Sequence, residues 1–230
     1  MDTRSDSQFS VYGGFAVRGC RPLSIAESAA MFRAYAGRYR LRNQALHMLC
    51  VTTGLRVSEA LSLRVADVVK KGRVVRRVKI ARASTKRALA GRTIDLAAPA
   101  RAAIARQVQW LLENGHLGRQ QFLFLSQMGG RAITRAEAWN IFNQAARAAG
   151  LDEDQGTLGT HFWRKTYAEQ VHRHFIAMLR RGALIHPMLE TSRALGHKSM
   201  DSTEMYLSFN RECQQSALRH METIHGYGMV

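Results

Sequence analysis

Apolar residues first recur at helical spacing from Ser24 onward, and Ser24 with Glu27 three residues later has the spacing of a capping box. A helix is therefore predicted to begin there. A second is predicted over roughly Arg42 to Val51, with Leu46, Leu49 and Cys50 on one face. Gly54 breaks it, and a short helix follows through Ser58 to Leu63. Between Arg73 and Leu96 the period changes. Val74-Val75 and Val78-x-Ile80 read as one strand, Thr93-Ile94-Asp95-Leu96 as another, with a polar, glycine-containing loop from Ser84 to Arg92 between them. Helical periodicity resumes from Pro99 to Glu113. Leu123-Phe124-Leu125 forms a short apolar piece before a Gly129-Gly130 turn. Thr134 is predicted to cap a helix that carries Trp139, Phe142 and Ala146 and stops at Gly150.

No internal repeat is visible, and the chain reads as an α+β protein, mainly α, with one small antiparallel β-sheet or hairpin. Residues 1–20 are Ser-rich, contain Gly13-Gly14 and lack a period. The expected organisation is a flexible arm over 1–22 and one domain over 23–230. With 230 residues, 46% of them hydrophobic, the chain has enough apolar surface for one domain with a proper core.

Charge narrows the partner. The formal net charge is +17, an imbalance that points to a polyanion, and nucleic acid is the commonest one. A ribosomal-type or membrane-surface protein would also be basic, but those tend to be lysine-rich. Here six lysines leave arginine to supply 28 of the 34 basic residues. Arginine grips phosphate with a planar bidentate fork, whereas lysine offers a point charge. A GC-rich genome gives the same bias, so its weight is modest. Cys20, Cys50 and Cys213 are odd in number and far apart, which indicates neither a disulfide framework nor a zinc knuckle and fits a reducing cytosol; Cys50 reads as a small core residue. No stretch approaches the ~18 apolar residues that span a membrane, and no basic-then-apolar signal pattern opens the chain.

Three segments carry candidate chemistry. Thr160 can cap a helix that starts at His161, on which His161 and Arg164 share a face beside an N-terminus that favours anions. Arg56 follows Gly54-Leu55 at a helix junction among apolar neighbours. Glu59 is its local partner, either in an ordinary ion pair or as the group that orients Arg56 toward a ligand phosphate. Tyr206 lies in a helix-start pattern, Asp201 to Leu207, where a tyrosine is usually a core residue with a bonded hydroxyl. His-x-x-Arg alone is frequent by chance, and five other tyrosines occur.

In combination the segments TGLRVSEALSLRVADV, THFWRKTYA and LGHKSMDSTEMY, in that order, resemble the catalytic domain of tyrosine recombinases, the phage-integrase family, over about residues 23 to 215. The resemblance implies that Arg56 and Arg164 clamp a scissile phosphate and that His161 accepts the proton of the tyrosine hydroxyl. It makes His197 a hydrogen-bond donor to the phosphate and Tyr206 the nucleophile. The family's general-acid lysine matches Lys86, the only lysine in the hairpin's connecting loop, with Lys79 in the preceding strand as fallback.

That chemistry is self-consistent. Attack on a phosphodiester builds charge on the non-bridging oxygens, which two arginines stabilise. A covalent phosphotyrosine conserves the bond energy, so rejoining needs no ATP. No cofactor is implied, and no acidic cluster suited to Mg²⁺ is evident in the sequence.

The implied protein is a site-specific recombinase acting on double-stranded DNA by integration, excision, inversion or resolution. It would be cytoplasmic and nucleoid-associated, prokaryotic or encoded by a mobile element, and a homo-oligomer, a tetramer on two DNA sites. Residues 210–224 carry Cys213, Ala217, Met221 and Ile224 at helical spacing, either for exchange with a neighbouring protomer or for packing on their own domain. A type IB topoisomerase, or a non-catalytic DNA-binding protein on the same fold, are the competing readings. Two departures from the family stand out. The stretch between Arg164 and His197, with His172, His174, Arg180, Arg181 and His186, is long, and a longer helical hairpin is favoured over a DNA-facing insertion. Only about twenty residues precede the domain, where most members have an N-terminal clamp; a minimal recombinase like the fimbrial-switch inverting enzymes is favoured over a fragment.

Overall fold

A computed structural model describes residues 21–80, 92–116, 118–151, 161–196 and Met221. Helix α1 (Ile25–Ala34) starts at the expected capping box: the Ser24 hydroxyl accepts from the Glu27 N–H at 3.1 Å, and the Glu27 carboxylate accepts from the Ser24 N–H at 2.7 Å. The same carboxylate takes Arg21 at 2.7 Å, so Arg21 and Pro22 are already buried against the body. Helix α2 (Arg40–Thr53) is the central one, packed against α5 (Ala98–Glu113) on one side and α7 (Phe162–Arg180) on another. Its predicted apolar face is buried as expected, Leu46, Leu49 and Cys50 included. Short helices α3 (Val57–Leu61) and α4 (Val65–Val68) follow, each with an acid at its third position accepting from the N-cap N–H, at 2.8 Å from Glu59 to Arg56 and 2.8 Å from Asp67 to Arg64.

The sheet region differs from expectation. Val74-Val75 and Val78-x-Ile80 are not one strand. Strand β1 (Val69–Lys70) pairs with β2 (Arg73–Val74), and β3 (Arg77–Ile80) pairs with β4 (Arg92–Asp95), giving two separate antiparallel two-stranded sheets. The cause is the two-residue turn Lys71-Gly72, with φ of 49° and 72°. Two successive positive φ values match the twist of a tight hairpin, and lysine at the first position hides the signal that Asn or Gly would carry. Val78 and Ile80 point into the core while Arg77 and Lys79 face out, the alternation of a half-buried strand. Arg92, assigned above to the loop, is the first residue of β4.

Leu123-Phe124-Leu125 is fully buried and bridges back to Ala132 across the Gly129-Gly130 turn. Helix α6 (Arg135–Ala148) starts at a second capping box between Thr134 and Glu137, buries Phe142 and Ala146, and leaves Trp139 outside. The long segment after Arg164 is a helical hairpin, as favoured from the sequence. Helix α7 runs to Arg180, turns at Gly182 and returns as α8 (Pro187–Leu195), with His172 hydrogen-bonded to the Thr191 hydroxyl at 3.2 Å. No helix among the described residues is long and apolar enough to cross a membrane.

His47 sits 1% exposed at the centre of this packing, between the Ser28 hydroxyl at 3.1 Å and the Tyr35 hydroxyl at 3.3 Å, with its ring 3.9 Å from that of Trp163. Burial pushes its pKa down to about 3, so the folded protein holds the ring neutral. The unfolded chain protonates it near pH 6.5, the folded one does not until far lower. Stability is therefore complete above pH 6.5 and falls as pH drops toward 3. Between pH 7.5 and 5 the loss attributable to His47 should be about 2 kcal/mol. Urea unfolding of wild type and His47→Gln at both pH values checks this: the variant should lose less stability than wild type on acidification, and equal losses would contradict it.

Candidate active site

Arg164 is the third residue of α7, 1% exposed. A buried guanidinium needs acceptors. Two come from backbone: Nη1 donates to the Gly54 carbonyl, and Nη2 donates to the Leu195 carbonyl at 2.9 Å. Both acceptors lie at helix ends, Gly54 as the C-cap of α2 and Leu195 as the last residue of α8. Carbonyls left unpaired at a helix C-terminus carry partial negative charge, so two helix ends together hold one cation. Gly54 and Gly196 adopt left-handed conformations, φ of 61° and 66°, that turn the chain at these points. A Cβ at Gly54 would run into the ring of Tyr167, and one at Gly196 into the guanidinium of Arg92.

Arg92 was not singled out by sequence. Its Nη1 donates to the same Leu195 carbonyl, and its Nη2 donates to Glu59 Oε2 at 3.0 Å. Glu59, 12% exposed, also accepts from the Arg56 N–H at 2.8 Å and pairs through Oε1 with Arg56 Nη1 at 3.4 Å. The ion pair expected from the sequence is present, and the same carboxylate also fixes the Arg56 backbone N–H. The Arg56 side chain remains 46% exposed, so it can meet a ligand while its partner is mostly withdrawn from water. Three arginines are joined through one carboxylate and one carbonyl.

His161 is placed as the N-cap of α7, without a side-chain capping bond; the helix begins at Phe162, not at His161. Thr160, expected to cap it, lies outside the described residues. His161 as a whole is exposed at the helix N-terminus, while its ring is partly withdrawn from water. Partial burial lowers its pKa below 6.5, and the positive charges of Arg135, Arg164, Arg56 and Lys165 lower it further. Arg56 and Arg164, far apart in sequence, are tied together through Glu59, Arg92 and the Leu195 carbonyl, and His161 opens the helix that carries Arg164. Arg135, the first residue of α6, adds to the positive field at His161. The result is an imidazole favoured in its neutral form by the positive field of nearby arginines at a helix N-terminus, an arrangement that can bind a phosphate and accept a proton next to it. Lys86, His197 and Tyr206 lie outside the described residues. Arg92 and Arg135 carried no distinguishing signal among 28 arginines.

The chain matches the model of the phage integrase family over residues 26–212 and belongs to that family. It is 30% identical over 166 residues to tyrosine recombinase XerD of Corynebacterium glutamicum, covering 72% of this chain and 48% of that protein. It is 25% identical over 199 residues to the probable integrase/recombinase YoeC of Bacillus subtilis, covering 86% of this chain and 95% of YoeC. The crystal structure of XerH site-specific recombinase bound to palindromic difH substrate, a post-cleavage complex, has the same fold, with a TM-score of 0.62 at 22% identity over 86% of this chain and 51% of that one. The mainly helical α+β architecture is that of tyrosine-recombinase catalytic domains. The chain spans about half the length of XerD and of several other curated relatives it matches.

Gly54 is where the Arg164 clamp can be tested without touching a charged residue. Gly54→Ala should destabilise the fold by about 1–3 kcal/mol, from the left-handed φ and from the Tyr167 ring. Asparagine tolerates the φ but keeps the Cβ, so Gly54→Asn should recover part of the loss. Denaturant midpoints of the two variants measure this, and wild-type stability in Gly54→Asn would mean that the Tyr167 contact is unimportant.

Proposed function

We propose that this protein cleaves and rejoins double-stranded DNA at specific sites through a covalent 3′-phosphotyrosine intermediate. The observation that supports this reading is the linked pair Arg56 and Arg164, the first guanidinium paired with Glu59 and the second received by the Gly54 and Leu195 carbonyls, with His161 opening the helix that carries Arg164. Membership of the phage integrase family and likeness to proteins named recombinases support it and do not favour a topoisomerase. The net charge of +17 suits a DNA partner.

In this mechanism Arg56 and Arg164 hold the non-bridging oxygens of the scissile phosphate. Preorganised donors of this kind stabilise the charge that develops in the transition state. The hydroxyl of Tyr206 attacks phosphorus and gives its proton to His161, whose depressed pKa keeps it neutral and able to accept. The bond to the 5′-oxygen breaks, Lys86 protonates that oxygen, and His197 donates a hydrogen bond to the phosphate. Rejoining reverses each step, with the attacking 5′-hydroxyl of a new strand displacing Tyr206. We assign the catalytic domain to residues 23–230, entered through the packed pair Arg21-Pro22, and infer a tetramer on two DNA sites with the C-terminal helix exchanged between protomers. On this reading the protein works in the cytoplasm, bound to the nucleoid.

A suicide duplex, nicked beside candidate sites taken from DNA flanking the gene, tests the reaction. Wild type should form a denaturation-resistant adduct that peptide mass places on Tyr206. Tyr206→Phe should form none while binding DNA almost as tightly, and Arg164→Ala should slow adduct formation at least 100-fold, on the order of 3 kcal/mol. An adduct at another residue would refute the assignment. Binding should weaken steeply between 50 and about 200 mM salt. The rate of adduct formation should hold as pH is lowered to 6.5 and fall only below that, as His161 protonates. Arg135→Ala removes one of the charges that depress its pKa, so the midpoint of that fall should move up in pH; an unmoved midpoint would exclude His161 as the proton acceptor.

A further inference from the structure

Arg92 lies between the two arginines of the clamp and touches the support of each. Its side chain is 26% exposed, and its two terminal nitrogens are both committed, Nη1 to the Leu195 carbonyl and Nη2 to Glu59 Oε2 at 3.0 Å. Leu195 carries the carbonyl that also receives Arg164 at 2.9 Å. Glu59 carries the carboxylate that also receives the Arg56 N–H at 2.8 Å and faces Arg56 Nη1 at 3.4 Å. The partners of Arg92 are 33 and 103 residues away in sequence, so its contacts come from the tertiary fold and not from a local turn.

We propose that Arg92 is a positioning residue of the phosphate clamp: by bridging Glu59 and the Leu195 carbonyl it sets the separation and orientation of Arg56 and Arg164. The physical basis is the geometry of the guanidinium. A planar fork with fixed N–H directions can hold a carboxylate and a carbonyl at once, where an ammonium holds them only by reorienting. Without the fork, the hydrogen-bonded bridge from Glu59 of α3 to the Leu195 carbonyl of α8 is lost, and Glu59 keeps Arg56 as its remaining ion-pair partner among the described residues. The Leu195 carbonyl then has Arg164 as its remaining donor among the described residues. The αL turn at Gly196 belongs to the same device, since a Cβ there would meet the Arg92 guanidinium. Arg92 acts through other residues, so it need not touch substrate.

The proposal rests on the clamp reading above, and orthovanadate separates the two, because it presents phosphate-like oxygens to the clamp without any DNA sequence requirement. Vanadate affinity would be measured by calorimetry on the full chain at pH 7.5, with thermal unfolding recorded for every variant. Wild type should bind, and Arg164→Ala should not. Arg92→Ala should weaken binding at least tenfold, and Arg92→Lys should recover part of that loss. Arg92→Ala combined with Glu59→Gln should lose less than the product of the single losses, because the two residues act as one unit. Exposed Arg181 on the hairpin tip serves as the charge control. Affinity in Arg92→Ala within twofold of that in Arg181→Ala, or multiplicative losses in the double variant, would overturn the positioning role while leaving the clamp intact. Absence of vanadate binding in wild type would overturn the clamp itself and the role of Arg92 with it. Should Arg92→Ala not fold, Arg92→Lys decides: reduced affinity with a wild-type unfolding temperature supports the proposal, and wild-type affinity overturns it.

Discussion

A buried arginine that must be neutralised by backbone organises this protein. Arg164 is almost wholly withdrawn from water, and the carbonyls that receive it close α2 and α8. For both to be available, two helices must end at the same point in space and the N-terminus of a third, α7, must arrive there. The negative ends of α2 and α8 stabilise the cation, while the positive end of α7 leaves the other side of the site suited to an anion. The same requirement favours glycine at both C-caps, because the φ is left-handed and a Cβ would meet the Tyr167 ring at Gly54 and the Arg92 guanidinium at Gly196.

Glu59 divides the remaining positive charge. A chain with 34 basic and 17 acidic residues tends to repel itself wherever cations gather. One carboxylate, largely buried and bonded to Arg56 and Arg92, lets several arginines approach without neutralising the site. What charge remains falls on His161, whose pKa drops for that reason as well as through burial. Cation clustering therefore does two things together: it makes this face of the protein attractive to anions, and it favours the neutral form of His161.

Much of the fold was legible because its signals are local. Ser24 with Glu27 and Thr134 with Glu137 form the capping boxes their spacing announces, and the buried face of α2 follows from period alone. The turn that splits the sheet was not legible, because Lys71 occupies a positive-φ position usually filled by Asn or Gly. Arg92 was invisible for another reason. Its acceptors are a carboxylate 33 residues back and a main-chain carbonyl 103 residues ahead, and every residue has a carbonyl.

Sequence alone determined which candidate residue types are present and in what order: Arg56 with Glu59, His161 with Arg164, then His197 and Tyr206. It also determined the helical spacings that put Glu59 under Arg56 and Arg164 beside His161, since contacts three residues apart on a helix are set by its 3.6-residue period. Only the tertiary structure decided that Arg56 and Arg164 are linked, that Arg164 is held by two helix ends, and that Arg92 joins their supports. Those outcomes depend on where helices stop and how they pack, and the acceptors involved are mostly backbone groups that carry no residue identity.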